Sequence, residues 1–170
     1  MARAVWKQDS VAAVICRLVE KRVVVDPFMG PGGLASSLCS FSSGYSGCET
    51  SAEMRGIFFR VQTSHPPARK VRTYPIDGYK FARLGSFDVA ILDPPWGGYQ
   101  VFLGERYVLE RRNRKVVELA LHILRSGKDV VFVLPFHTVL PPRLDRWKFF
   151  ESDVIKKYGR DYCKVWAFRR

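Results

Sequence analysis

The sequence predicts an α/β fold, a mostly parallel sheet with helices on both faces. Short runs of apolar and β-branched residues (Val23-Val24-Val25, Val89-Ala90-Ile91-Leu92, Val130-Val131-Phe132-Val133-Leu134) read as strands covered on both sides. Segments with helical periodicity alternate with them, as in βαβ units. The first two of these runs end in loops dense in glycine and proline. At 170 residues the chain predicts one domain, 1–170, with residues 1–21 forming an N-terminal helix that leads into the core.

Ser10 can cap a helix whose Val11, Val14, Ile15, Leu18 and Val19 share one face. Residues 22–26 form the first strand and 27–33 a turn. Residues 34–41 are a short helix, and 45–49 a weaker strand ending in Glu49. Ser51 caps the next helix, with Met54, Ile57, Phe58 and Val61 inward, and His65-Pro66-Pro67 stops it. Residues 70–74 are a third strand, with Asp77 in the loop after it. Residues 87–93 are a strand closed by Pro94-Pro95, and 97–110 read as a loop. A helix over 113–124 turns Val116, Val117, Ala120, Leu121 and Leu124 inward and ends at Gly127. Residues 129–134 are a buried strand. Residues 150–155 and 162–168 pair as a closing hairpin around Tyr158-Gly159-Arg160-Asp161, with Phe149 and Phe150 read as core.

Composition narrows the function classes. Hydrophobic residues make up 47% of the chain, which excludes a wholly disordered protein. No apolar run approaches the ~18 residues of a membrane helix, and the first nine residues lack the apolar core of a secretory signal. The net charge is +12, of which residues 1–100 carry +4 and residues 101–170 carry +8. A basic excess concentrated in one part of a chain favours a polyanionic partner, RNA or DNA ahead of a membrane. Cys16, Cys39, Cys48 and Cys163 form no CxxC pair, and His65, His122 and His137 are scattered, so neither a disulfide framework nor a metal is expected.

Two loops carry the chemistry. The first is Asp26-Pro27-Phe28-Met29-Gly30-Pro31-Gly32-Gly33, between a buried strand and a helix. Ligands of open α/β sheets bind beyond the carboxyl ends of the strands. Glycines there let backbone approach a ligand, and the helix that follows offers free N–H groups. No Gly-Lys-Ser/Thr follows, so this is not a Walker phosphate loop. Glu49 ends the second strand, 23 residues after Asp26, where a carboxylate can accept both ribose hydroxyls of an adenosine moiety. Asp77 ends the next strand and can accept from an adenine amino group or serve as an ordinary turn residue.

The second loop is Asp93-Pro94-Pro95-Trp96-Gly97-Gly98. Its prolines fix the carbonyl directions. Asp93 and the Pro94 carbonyl can accept hydrogens from one exocyclic amine, whose lone pair is otherwise lost into the aromatic ring. Two acceptors localise that lone pair and stabilise charge growing on nitrogen. Trp96 offers a face for a base, worth about 1–3 kcal/mol. The catalytic candidates are therefore Asp93, Pro94, Pro95 and Trp96. The cofactor candidates are Asp26, Phe28, Gly30, Gly32, Gly33, Glu49, Asp77 and Asp93. Trp96 with the basic run Arg106, Arg111, Arg112, Arg114 and Lys115 is the candidate nucleic-acid surface. Basic groups at a helix start oppose its dipole, which a bound polyanion would offset.

These two loops, with Glu49 between them, resemble the Rossmann-like S-adenosylmethionine-dependent methyltransferases of exocyclic amines. The added Trp-Gly-Gly is most similar to the RNA-cap guanine-N2 enzymes of the trimethylguanosine synthase type. The resemblance covers most of residues 22–168. It implies strand order 3-2-1-4-5-7-6 with strand 7 antiparallel, S-adenosylmethionine as cofactor, contacts to it at Asp26, Gly30 and Glu49, and base stacking on Trp96. Asp93 stands where the cap enzymes have serine and matches adenine-N6 and ribosomal RNA guanine-N2 enzymes instead. The glycine loop precedes the Asp-Pro-Pro-Trp loop, unlike the circularly permuted adenine methyltransferases. Cap enzymes carry a helical extension before the core, and about twenty residues precede Val23. The expected partners are thus RNA and a protein or ribonucleoprotein that supplies this extension. The expected activity is methyl transfer to guanine N2 of cap or ribosomal RNA, in the nucleus or an RNA-containing organelle such as the mitochondrion. The alternative is a catalytically silent protein of this fold that binds RNA as a structural or assembly component of a ribonucleoprotein.

Overall fold

The computed structural model describes residues 11–64, 71–96, 106–157 and 159–169. The cap at Ser10, the Pro66-Pro67 stop, Gly97, Gly98 and Tyr158 lie outside them. Ten strands and six α-helices occur among the described residues: α1 (Val11–Val19), β1 (Val23–Asp26), α2 (Gly33–Leu38), β2 (Gly44–Cys48), α3 (Ala52–Ser64), β3 (Val71–Tyr74), α4 (Gly78–Leu84), β4 (Val89–Leu92), β5 (Tyr107–Val108), α5 (Leu109–Arg112), α6 (Arg114–Arg125), β6 (Asp129–Pro135), β7 (Thr138–Val139), β8 (Lys148–Glu151), β9 (Ile155–Lys157) and β10 (Arg160–Phe168). A 3₁₀ turn spans Pro142–Trp147.

The main sheet runs β3-β2-β1-β4-β6-β10-β8, with β9 paired to β10 off this line. The pairs from β3 to β6 are parallel. β10 is antiparallel to β6, β8 and β9. With β6, β10 and β8 as fifth, seventh and sixth strands, this is the expected order. The parallel strands alternate their side chains between two cores, as the pleat requires. Val25, Ala90, Val130 and Phe132 pack with Val116, Val117, Ala120 and Leu124 of α6. Val24, Val89, Val131 and Val133 pack with Ile15 and Val19 of α1, Leu38 of α2 and Phe58 of α3. All five residues expected on the inner face of α6 are buried.

Several elements depart from the sequence reading. The stretch 97–110, expected to be a loop, contains β5 and the start of α5 in its described part. The loop expected after β3 holds α4. The first arm of the closing hairpin is split into β8 and β9. From Glu151 to Ile155 the chain takes four steps where β10 takes three, from Trp166 to Cys163. Ser152 is the last residue in the β8 register, its amide donating to the Val165 carbonyl and its Oγ accepting from the Val165 amide, each at 2.9 Å, and the extra residue falls between it and Ile155. Val61 on α3 is 45% exposed and Phe149 is 44% exposed, so neither is core. The Arg169 guanidinium instead covers the Phe149 ring.

The amino ends of the strands are stapled together. Asp129 accepts from Arg22 at 2.8 Å and Arg169 at 3.4 Å, while Asp88 accepts from the Val23 amide at 2.7 Å. The carboxyl ends of β1 to β6 are left to the loops.

Candidate active site

β1 delivers Asp26 to the carboxyl edge of the sheet, where it is buried. One carboxylate oxygen accepts from the Phe28 amide at 3.1 Å, the other from the Tyr45 hydroxyl at 2.9 Å. Burial pushes Asp26 up to about 6; its two hydrogen bonds pull against this, and the Glu49 charge adds to it. Asp26 therefore works from beneath, setting the course of the loop. The Met29 amide then donates to the Cys48 carbonyl at 3.1 Å, tying the loop to β2.

The glycines of this loop have different duties. Gly30 lies in the left-handed region at φ 54° and faces the cleft. Gly32, at φ 78°, lies against α3: a Cβ there would stand 2.1 Å from the Phe58 ring. Its lack of a side chain therefore serves packing, where the sequence pointed to a ligand. Gly33 begins α2 and faces open space.

A cleft of about 450 Å³ lies between the β1 loop, the end of β2, the start of α4 and the end of β4. Phe28, Gly30, Glu49, Asp77, Asp93 and Pro95 line it, joined by Cys48, Thr50, Ile76, Gly78 and Tyr79. Glu49 lines the cleft and accepts from the Ser51 amide at 2.6 Å through Oε1. Asp77 caps α4, accepting from the Tyr79 and Lys80 amides through Oδ1. The turn role and the cleft position coincide in this residue. Gly78 lets α4 approach the β1 loop: a Cβ there would stand 2.1 Å from the Pro27 carbonyl oxygen. Phe28 meets Tyr79 edge-on at 5.3 Å between ring centres. Ile76, Gly78 and Tyr79 escape the sequence reading. Their one signal is an apolar residue beside a capping aspartate, which becomes informative only once α4 is known.

Asp93 leaves β4 beside the cleft. Burial pushes it up to about 7, the Asp26 charge pushes in the same direction, and a hydrogen bond from the Trp96 side chain opposes both. Pro94 is buried and Pro95 exposed. Trp96 is half-buried against both cores and meets the Tyr162 ring at 5.1 Å, tilted by 51°. Arg106, Arg111, Arg112, Arg114 and Lys115 are all exposed. Arg114 pairs with Glu118 at 2.9 Å. Asn113 joins this basic segment to the loop, donating to the Tyr107 hydroxyl and reaching the Pro95 carbonyl at 3.5 Å.

Among the described residues, three carboxylates and no lysine or arginine line the cleft. Such a wall repels the phosphates of a dinucleotide and attracts a cation. No helix among the described residues is long and apolar enough to cross a membrane, and no cluster of metal-ligating side chains occurs there.

Neither protein-family models nor curated protein sequences give a match to the chain. Solved structures do. TrmN from Thermus thermophilus is similar at TM-score 0.64 and 18% identity, over 94% of this chain and 48% of TrmN. A ribosomal RNA methylase from Streptococcus thermophilus is similar at 0.61 and 10%, over 98% of this chain and 99% of the methylase. SMU.776, described as a methyltransferase and solved with S-adenosylhomocysteine (SAH), is similar at 0.65 and 13%, over 96% and 49%. The chain thus spans about half the length of two of these proteins and nearly all of the third. The fold they share with it is the Rossmann-like methyltransferase fold.

Proposed function

We propose that the protein transfers a methyl group from S-adenosylmethionine to an exocyclic amine of a nucleobase, guanine N2 of an RNA. The observation that carries this reading is the acidic cleft opening beside Asp93-Pro94-Pro95-Trp96. The residues fit the cofactor. A volume of about 450 Å³ is in the range of small-molecule sites. Glu49 has an oxygen for the ribose hydroxyls, and the exposed Ile76 side chain offers an apolar face for adenine. When bound there, S-adenosylmethionine supplies an electrophilic methyl carbon next to a positive sulfur.

The chain's own residues do the rest. Asp93 and the Pro94 carbonyl take the amine's hydrogens and aim its lone pair. Trp96, braced by Tyr162, backs the base. Holding the two reactants in contact supplies most of the rate. The amine proton leaves to solvent after transfer. Arg111, Arg112 and Lys115, linked to the loop through Asn113, engage the RNA backbone. The expected setting is a nucleus or an RNA-containing organelle, with a protein or ribonucleoprotein partner.

Support also comes from the ribosomal RNA methylase among the structural neighbours. The test has two parts. Calorimetric titration with S-adenosylmethionine should give saturable one-to-one binding. Incubation with labelled cofactor and capped or ribosomal RNA should then yield N2-methylguanosine by mass spectrometry. Cofactor binding without label in any RNA would favour the silent, RNA-binding alternative. No binding at all would remove the reading.

A further inference from the structure

Two basic segments reach the Trp96 loop, and they pack on opposite faces of the sheet. Residues 106–115 carry five basic side chains against the single acid Glu110. Tyr107 and Leu109 anchor this segment in the core beneath α6, and Asn113 reaches the Pro95 carbonyl. The second segment is the β9–β10 hairpin, whose Ile155, Tyr162 and Cys163 pack in the other core. Trp96, past the end of β4, packs against both cores.

The hairpin overhangs the same end of the sheet as the cleft. Cys163 of β10 stands opposite Pro135, the last residue of β6. Lys156, Lys157, Arg160 and Asp161, nearer the hairpin tip, therefore lie beyond the carboxyl end of that strand, and all four are exposed. Asp161 is the one acid among them. It stands 3.8 Å from Lys156, and an exposed pair of this kind is weak. The Lys157 ammonium lies 5.1 Å from the centre of the Tyr162 ring, which meets Trp96 at 5.1 Å. Cation, Tyr162 and Trp96 thus form a continuous row. Lys164, farther along β10, is held by Glu151 at 2.9 Å and is left out.

Rings set among exposed cations suit a single nucleic-acid strand, whose bases stack while the cations follow its phosphates. Resting on the methyltransferase reading, we propose that the β9–β10 hairpin is a second RNA-backbone arm: one RNA strand crosses the sheet edge at Trp96, held by Lys156, Lys157 and Arg160 on one flank and by the 106–115 segment on the other, so that the acceptor is an internal nucleotide. A 5′-terminal cap has RNA chain on one flank only and would leave one arm unused.

The test uses the full chain and two labelled oligouridines of equal length, with one guanosine at the centre or at the 5′ end. Affinities come from fluorescence anisotropy across a salt series, and SAH is titrated separately. Joint replacement Lys156→Ala, Lys157→Ala and Arg160→Ala should lower the slope of log affinity against log salt by about 2. Affinity at about 0.1 M salt should fall about a hundredfold, and the gap should close near 1 M. Adding Arg111→Ala and Lys115→Ala should bring the loss of slope to about 3.5, because one strand spans both arms. The wild type should prefer the central guanosine, and the hairpin variant should bind both RNAs equally. Asp161→Asn removes the one acid and should tighten binding about twofold at low salt, a gain that misfolding cannot mimic. SAH affinity and melting temperature should stay at the wild-type values throughout. The assignment is overturned if the wild type binds neither RNA or shows no preference between them. An unchanged slope in the hairpin variant, a loss of SAH binding along with RNA, or no gain in Asp161→Asn overturns it too. A wild type that binds RNA through the hairpin but not SAH would overturn the methyltransferase reading and leave the RNA surface standing.

Discussion

Replacing Asp26 with asparagine should stabilise the protein at alkaline pH while keeping the course of the loop. A carboxyl that keeps its proton up to about 6, against an ordinary 3.8, favours the protonated folded state. Its contribution is complete below 3.8 and is lost as pH rises through 6, which is the reverse of an ion-paired aspartate. At about 1.4 kcal/mol for each tenfold change in proton activity, the ionised folded state carries a cost of about 3 kcal/mol at pH 8. The neutral amide of Asp26→Asn carries no such cost. Its Oδ1 can accept from the Phe28 amide and its Nδ2 can donate to the Tyr45 oxygen, so the geometry survives. The pull of both hydrogen bonds is contained in the value of about 6, so the gain of about 3 kcal/mol corresponds to about 6–12 °C for a chain of this size. Thermal melting of variant and wild type at pH 8 and pH 4.5 measures it. The difference should be present at pH 8 and shrink at pH 4.5. A variant less stable than the wild type at pH 8, or a difference equal at both, would refute the burial account.

The same geometry sets three further outcomes. Asp93→Asn should lower methyl transfer about 10²–10³-fold with SAH affinity unchanged. Wild-type turnover should rise with pH through about 7 as Asp93 ionises, and the variant's profile should be flat there. Gly78→Ala forces a methyl against the Pro27 carbonyl; cofactor affinity should fall sharply in calorimetry, and the melting temperature by several degrees. Arg111→Ala with Lys115→Ala should cut the slope of log affinity against log salt by about 1.4 for single-stranded RNA, with cofactor binding intact.

How much of this is legible in the sequence depends on the range of the forces involved. β1, β4 and β6 announce themselves because a strand covered on both faces needs unbroken apolar residues. The two loops are legible because proline and glycine act on their own backbone. α4 is not, because its first residue is Gly78 and its start depends on how close Pro27 comes. Gly32 resembles a ligand glycine, yet Phe58 needs its space from 26 positions away. β5 and β7, two residues each, exist only through each other.

The acidic wall of the cleft has a consequence for the cycle as a whole. In the proposed reaction, methyl transfer would leave the ligand's sulfur neutral while Glu49, Asp77 and Asp93 keep their places along the cleft. The attraction to the sulfonium would then be absent for the spent product. The site would shed product without a moving part, and added salt should weaken reactant binding more than product inhibition.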